Sequence, residues 1–323
     1  MVALNKNQNI HCSIKAGIAI DFDLAKKFQD YLFHIKMTSV AVVGTGGFLF
    51  KPVAAGLLDP LFKSNYKLPI KALTRDPSKE EKIEGLEYVK IDYADKTTIE
   101  KALEGVDTVI NLMGSTAPFE SYKILIDAAV KAGVQKFITS DFGCDYRYIG
   151  QKNLLDSKAE IAAYGRQAGI PKVIQIMNGL FMQFLTFGFF GHNLKEAKAE
   201  FLGDGTQTVV VTDLSDIGKA VGSIAYRPAS EIPDYINIKG QRVTLNETAE
   251  IYEKATGKKM AVTYKEPEPV ESIPGLTDFV LFLQTLSAHP ETKAFDSVDN
   301  DNELVNPGLW KWKQMDELFQ TFA

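Results

Sequence analysis

Residues 40–50 read Val40-Ala41-Val42-Val43-Gly44-Thr45-Gly46-Gly47-Phe48-Leu49-Phe50, the first strongly β-prone run of the chain. An apolar strand that ends in glycines and turns into a helix is the entry to a dinucleotide-binding unit. Glycines let the backbone approach a pyrophosphate. The helix start offers free N–H groups and the positive end of a dipole. The pattern is incomplete. Spaced as G-x-x-G-x-x-G, it supplies Gly44 and Gly47, and Phe50 stands at the third glycine position. Spaced as G-x-G-x-x-G, Gly44 and Gly46 match and Leu49 does not. The competing reading is a tight strand-to-helix turn without a ligand.

Outward from this turn, strand and helix patterns alternate, which argues for a parallel α/β sheet. Strands are expected at 39–43, 70–74, 88–91, 108–112, 136–140 and 173–177. Helices are expected at 48–58, 97–103, 119–132 and 154–168, the last closed by Gly169 and Pro171. Beyond Asn178-Gly179 the texture changes. Leu180, Phe181, Met182, Phe184, Leu185, Phe187, Phe189 and Phe190 fall on all sides of any helix drawn through them. That density suits a pocket wall or cap, or plain core. Further strands are expected at 206–211, 235–238 and 260–264. Asp213 or Ser215 caps a helix to about 225, and Thr244-Leu245-Asn246-Glu247 is a capping-box start for a helix ending at Gly257. Residues 265–274 read as a surface loop and 309–322 as a helix. The expected architecture is a doubly wound parallel α/β sheet of the Rossmann kind. Residues 1–36 form an extension, 37–178 the dinucleotide-binding domain, and 179–323 a smaller α/β portion for substrate.

Composition narrows the function classes. The net charge of −5 offers no global basic field for nucleic acid or an anionic membrane. Cys12 and Cys144 are the two cysteines, too few for a disulfide framework, which fits a reducing compartment. His11, His34, His192 and His289 show no metal-ligand spacing, so no metal is expected. No apolar run reaches the roughly 18 residues of a membrane span. Residues 1–36 lack the form of a signal peptide, and Asp21, Asp23 and Asp30 argue against a transit peptide. Met37 is a natural start, which makes 1–36 a dispensable extension, an upstream mis-start, or the site of a short amphipathic helix at 23–33. The expected location is cytoplasmic, or nuclear for a regulator.

The second strand ends at Thr74-Arg75. A carboxylate near this point suits the ribose 2′-hydroxyl of NAD, whereas an arginine suits the 2′-phosphate of NADP through a charge-assisted fork. Lys79 adds a second cation, and Asp76 next door works against both. NADP is the preferred cofactor on this reading, with a solvated charged loop as the alternative.

The order Val-Val-Gly-Thr-Gly-Gly-Phe-Leu, Thr-Arg-Asp-Pro-Ser-Lys, Ala-Gly-Val-Gln-Lys-Phe-Ile-Thr-Ser-Asp-Phe-Gly and Asn-Gly-Leu-Phe resembles the NmrA-like and isoflavone-reductase-like group of atypical short-chain dehydrogenase/reductases. The likeness runs through Gly203-Asp204-Gly205, Asp216-Ile217-Gly218 and Thr244-Leu245-Asn246-Glu247, covering about residues 38–265. The resemblance implies a pyrophosphate turn of Gly44, Gly46, Gly47, Phe48 and Leu49. It assigns Arg75 and Lys79 to the 2′-phosphate. Gly114, Ser140, Phe142, Asn178 and Phe181 would border the cofactor, and Lys158 would lie beside the nicotinamide ribose and substrate.

Ordinary short-chain reductases carry Tyr-x-x-x-Lys on one helix face, where the lysine lowers the pKa of the proton-exchanging tyrosine. Here Leu154 stands four residues before Lys158. Isoflavone-reductase-like enzymes also lack that tyrosine, so the resemblance gives Lys158 the role of general acid or base. A solvated surface lysine is the plainer reading. A second Tyr-x-x-x-Lys, at Tyr148 and Lys152, contains helix-weakening Gly150 and is read as chance. Phe50 raises the prospect of a displaced helix and weakened phosphate contacts, in which case Phe50→Gly would tighten NADPH binding. Two functions follow from the resemblance. One is an NADPH-dependent reductase of a small apolar or aromatic substrate. The other is an NAD(P)-binding redox sensor that acts through a regulatory protein partner.

Overall fold

All four side chains of β1 (Val40–Val43) are buried. That is the pattern of a strand with neighbours on both edges and helices on both faces. The computed structural model describes residues 37–114, 116–149 and 153–323. The extension 1–36, its expected helix, Cys12, His11, His34 and Lys152 lie outside the described residues.

After β1 come α1 (Phe50–Leu57), β2 (Ile70–Thr74), β3 (Leu86–Lys90), α2 (Lys96–Leu103) and β4 (Thr108–Asn111). Next are α3 (Phe119–Lys131), β5 (Lys136–Ile138), α4 (Asp156–Ala168) and β6 (Lys172–Met177). The chain continues through β7 (Leu180–Phe181), α5 (Met182–Thr186), β8 (His192–Asn193), β9 (Lys198–Leu202), β10 (Thr208–Thr212) and α6 (Leu214–Ile224). It ends with β11 (Tyr235–Asn237), β12 (Gln241–Thr244), α7 (Leu245–Thr256), β13 (Ala261–Lys265), α8 (Phe279–Ala288), α9 (Asn302–Val305) and α10 (Met315–Phe319).

Seven strands form one sheet in the order β11-β6-β5-β4-β1-β2-β3, and every pairing is parallel. The order reverses between β1 and β4, the crevice where such sheets bind ligands. Side chains of β1 alternate between the two faces. Val40 and Val42 enter the core beneath α1 and α6, and Ala41 and Val43 enter the core beneath α2, α3 and α4. The sheet is the expected doubly wound Rossmann fold. Two three-stranded sheets, β12-β10-β7 and β13-β9-β8, lie in the later part of the chain. They pack with α7, α8 and α10 around a third core that includes Phe190, Phe201, Tyr252 and Phe282. Residues beyond 178 also serve the main sheet, since β11 pairs with β6 and α6 packs on α1.

The α1–α6 contact explains how Phe50 is tolerated. A Cβ at Gly218 would stand 2.0 Å from the Pro52 carbonyl oxygen, and one at Gly56 would stand 1.9 Å from the Gly218 carbonyl oxygen. The close packing of α1 is therefore made against α6, through glycines outside the usual motif. Phe50 itself is buried in the core, its ring 6.3 Å from that of Tyr88 on β3. It does not obstruct the glycine turn.

Several expectations are corrected. Residues 309–314 are not helical, and the tail helix shrinks to α10 and a 3-10 turn at Gln320–Phe322. Tertiary hydrogen bonds hold the preceding segment extended: the Lys313 N–H donates to Asp216 Oδ2 at 2.7 Å and the Met315 N–H to Gln241 Oε1 at 2.8 Å. Part of the loop expected at 265–274 is the 3-10 helix Val270–Gly275. Strands β9 and β12 and helix α8 were not anticipated. Lys198–Leu202 alternates exposed and buried residues, the pattern of a half-buried strand. The capping box is present as expected, with the Glu247 N–H donating to Thr244 Oγ1 at 3.1 Å and the Thr244 N–H to Glu247 Oε2 at 2.7 Å.

Candidate active site

The C-terminal ends of β1, β4, β5 and β6 meet on one edge of the sheet, and the expected site residues gather there. Gly44 has φ +96, and a Cβ on it would stand 2.6 Å from the Leu112 carbonyl carbon. The turn therefore lies directly on the backbone leaving β4, an approach that only glycine permits. The Gly47 N–H closes the turn on the Gly44 carbonyl oxygen at 3.1 Å. Gly46 faces open space: a Cβ there would have nothing within 4 Å. Leu49 is the buried N-terminal flank of α1, whose first turn carries no acidic side chain. An uncluttered helix N-terminus behind an open glycine is a suitable seat for a phosphate group.

Phe48 follows the turn and is 52% exposed. Its ring lies 5.0 Å from Phe181 and 5.6 Å from Phe184. Phe184 in turn stacks on Phe189 at 4.4 Å. Leu180, Met182, Leu185 and Phe190 are instead core. The dense stretch after residue 179 is thus partly wall and partly core.

Arg75 directly follows β2 and is exposed. Among the described residues it makes no hydrogen bond or ion pair, which leaves its guanidinium available to an anion. Lys79 is also exposed and sits 3.2 Å from Asp76 Oδ2. Asp76 is committed to its own turn, accepting from the Ser78 N–H and hydroxyl. The sequence reading did not mark Glu80. Its Oε1 accepts from Thr45 Oγ1 at 2.5 Å and from Thr74 Oγ1 at 2.6 Å, tying the glycine turn to the tip of β2.

Lys158, on the first turns of α4, is not a solvated lysine. Its Nζ donates to the carbonyl oxygens of Asp141 at 3.0 Å and Phe142 at 3.5 Å. Burial of the ammonium holds its pKa below the ordinary lysine value, with the Asp141 carboxylate opposing that shift. The Asp141 carboxylate is buried and points to other partners. It accepts from the Thr139 hydroxyl, from the Tyr146 hydroxyl at 2.5 Å and from Gln175 Nε2 at 3.3 Å. Tyr146 is driven far above its usual range by burial and by that carboxylate, so it stays protonated. Tyr148 of the second Tyr-x-x-x-Lys points elsewhere, 3.4 Å from Asp299.

Lys158 belongs to two hollows. The first, about 470 Å³, includes Met113, Tyr122, Ser140 and Asp141. The second, about 380 Å³, is walled by Phe142, Phe181, Phe184, Phe279 and Phe295. Both reach the glycine turn, since Met113 abuts Gly44 and Phe181 touches Phe48. A Cβ added at Gly114 would have nothing within 4 Å, and its carbonyl accepts from the Tyr122 hydroxyl at 2.7 Å. Tyr122, absent from the sequence reading, is pushed up to about 12, first by burial and then by Asp141. Cys144 in the apolar hollow is likewise pushed up to about 12 by burial; it is a thiol rather than a nucleophilic thiolate. Two buried amide atoms on this edge have no partner among the described residues: Asn111 Nδ2 at the end of β4 and Asn178 Oδ1 after β6. Buried amides left unpaired at strand ends mark a place for a ligand or water. No group of His, Cys, Asp and Glu among the described residues could hold a metal ion, and no helix among them is long and apolar enough to cross a membrane.

Residues 36–319 match the NmrA-like family. The chain belongs to that family. The family match extends past residue 265, where the quoted motifs stop. Oxidoreductase aprR of Aspergillus flavus is 28% identical over 236 residues, 71% of this chain and 77% of that protein. The isoflavone reductase homolog IRL of Zea mays is 29% identical over 255 residues, 72% of this chain and 79% of that protein. Among solved structures, AtPrR2 with NADP+ and (+)pinoresinol superposes with a TM-score of 0.71 at 22% identity, covering 89% of this chain and 99% of that one. The match supports the Rossmann-like fold of this NmrA-like chain.

Proposed function

We propose that this NmrA-like protein is an NADPH-dependent reductase of a small apolar or aromatic substrate. The observation that carries the reading is the place of Lys158, its ammonium between the hollow beside Met113 and Ser140 and the hollow lined by phenylalanines. Relatives named as reductases, and a fold neighbour solved with NADP+, support it. The residues fit the cofactor: an open glycine turn, an acid-free helix start and an unpaired arginine.

In this reading the amides of residues 44–47 hold the pyrophosphate, and Arg75 with Lys79 holds the 2′-phosphate. Gly114, Ser140, Phe142, Asn178 and Phe181 border the ribose and nicotinamide. The bound nicotinamide supplies a hydride. Phe181, Phe184 and Phe279 exclude water and orient an apolar ring. Lys158 Nζ stands near the developing negative charge and supplies a proton directly or through water. Residues 179–323, apart from β11 and α6, form the substrate portion.

A specific residue favours a second reading, an NAD(P)-binding sensor with a regulatory partner. Leu154, just before α4, occupies the place of the proton-exchanging tyrosine and is exposed, so no tyrosine stands four residues before Lys158. Fluorescence of NADPH on mixing with the protein, followed by its oxidation against a panel of carbonyl and enone compounds, separates the readings. Binding with oxidation supports the reductase. Binding with no oxidation by any member supports the sensor.

A further inference from the structure

Glu80 is an acidic group built into the mouth of the dinucleotide crevice. Its Oε1 takes two hydroxyls at once, from Thr45 inside the glycine turn and from Thr74 at the tip of β2. Its Oε2 has no partner among the described residues. The neighbouring Asp76 is already used by Ser78 and Lys79. In dinucleotide folds a carboxylate at the tip of the second strand accepts the ribose 2′-hydroxyl. Glu80 lies six residues later in sequence, yet the Thr74 hydrogen bond brings it to that tip.

We propose that Glu80 reads the adenosine ribose, so that the site takes NADH as well as NADPH. The inference rests on the dinucleotide reading above. A carboxylate only accepts hydrogen bonds. The 2′-hydroxyl of NADH is a donor and fits the open oxygen. The 2′-phosphate of NADPH carries no such donor at neutral pH and is repelled by the same charge; its partners are Arg75 and Lys79. The acceptor is held in place by two hydroxyls, whereas Arg75 and Lys79 are exposed. Two ways of holding position 2′ therefore coexist on one turn, one acidic and ordered, one basic and solvated.

The test titrates the full chain with NADH and with NADPH, following nicotinamide fluorescence. Wild type is expected to bind both. Glu80→Gln is expected to weaken NADH by on the order of tenfold, the worth of one hydrogen bond to a charged group, while NADPH is unchanged or tighter. If the variant weakens both equally, Glu80 only braces the turn and the proposal is overturned. If wild type binds NADPH but not NADH, the proposal is overturned and the reductase reading stands. If wild type binds neither, both fall. Should Glu80→Gln not fold, Thr45→Val decides. Release of one hold on the carboxylate must cost NADH more than NADPH, and an equal cost overturns the proposal.

Discussion

Lys158 meets Asp141 through the main chain: Nζ donates to the Asp141 carbonyl oxygen at 3.0 Å, while the Asp141 carboxylate turns to Tyr146 and Thr139. The ammonium is thus positioned by a carbonyl and kept from a direct ion pair. A lysine held this way is aimed but not quenched. Lys158→Ala should abolish turnover and leave NADPH affinity within a few-fold of wild type. Equal turnover in the variant removes Lys158 from the chemistry. The pH profile carries a second check. Burial places the lysine pKa below 10.5, so a lysine acting as acid loses its proton, and activity falls, as pH rises through that lowered value. A basic limb at the ordinary lysine value contradicts the enclosed ammonium.

Phe50 has a different role from the one its motif position suggests. Its ring lies in the core against Tyr88, away from the open side of Gly46. Phe50→Gly should therefore destabilise the fold by about 3–5 kcal/mol, the range for emptying a buried phenylalanine site, with helix propensity adding to the loss. Urea denaturation measures it. A stable variant with tightened NADPH binding would reinstate the idea of an obstructing ring.

The main sheet was legible because its strands are short apolar runs punctuated by glycines and polar caps. Residues 40–43, 70–74 and 108–111 carry that signal locally. The edge of the sheet was legible for the same reason, since strand ends fix where Gly44, Gly114, Ser140 and Asn178 come together. Glu80 and Tyr122 were not legible. Each reaches the site through a contact set by tertiary packing, Glu80 by Thr45 and Thr74, Tyr122 by the Gly114 carbonyl. The tail was misread because apolar spacing in 309–322 looks helical, while Asp216 and Gln241 claim its backbone N–H groups.

His192 is buried beside Phe201, with Nε2 2.7 Å from Thr248 Oγ1. That hydroxyl gives its hydrogen to the Leu245 carbonyl oxygen at 2.5 Å, so Nε2 must carry the hydrogen of a neutral ring. Burial lowers its pKa from 6.5 to about 4. Between these values the unfolded chain binds a proton that the folded chain does not, so stability rises with pH across the window. The contribution is full above 6.5 and lost as pH falls through 4, up to about 3 kcal/mol. Asp216 works in the opposite sense. Burial raises it to about 6, and its contribution is lost as pH rises through that value. The difference between wild type and His192→Gln isolates the histidine. Denaturation midpoints of the two should diverge less at pH 4 than at pH 7, and a constant gap would show that His192 does not titrate as described.

Gly46 and Gly218 separate binding from folding. A Cβ on Gly46 meets nothing in the protein, whereas one on Gly218 would stand 2.0 Å from the Pro52 carbonyl oxygen. Gly46→Ala should leave the urea midpoint near wild type and weaken NADPH by on the order of tenfold, because the methyl displaces the phosphate from one amide. Gly218→Ala should do the reverse at the level of the fold. Helix α6 must shift from α1, at a cost of about 1–3 kcal/mol for overpacking, while the turn that faces the nucleotide keeps its amides. If Gly46→Ala instead lowers stability and spares NADPH, the open space above the turn is not where the dinucleotide sits.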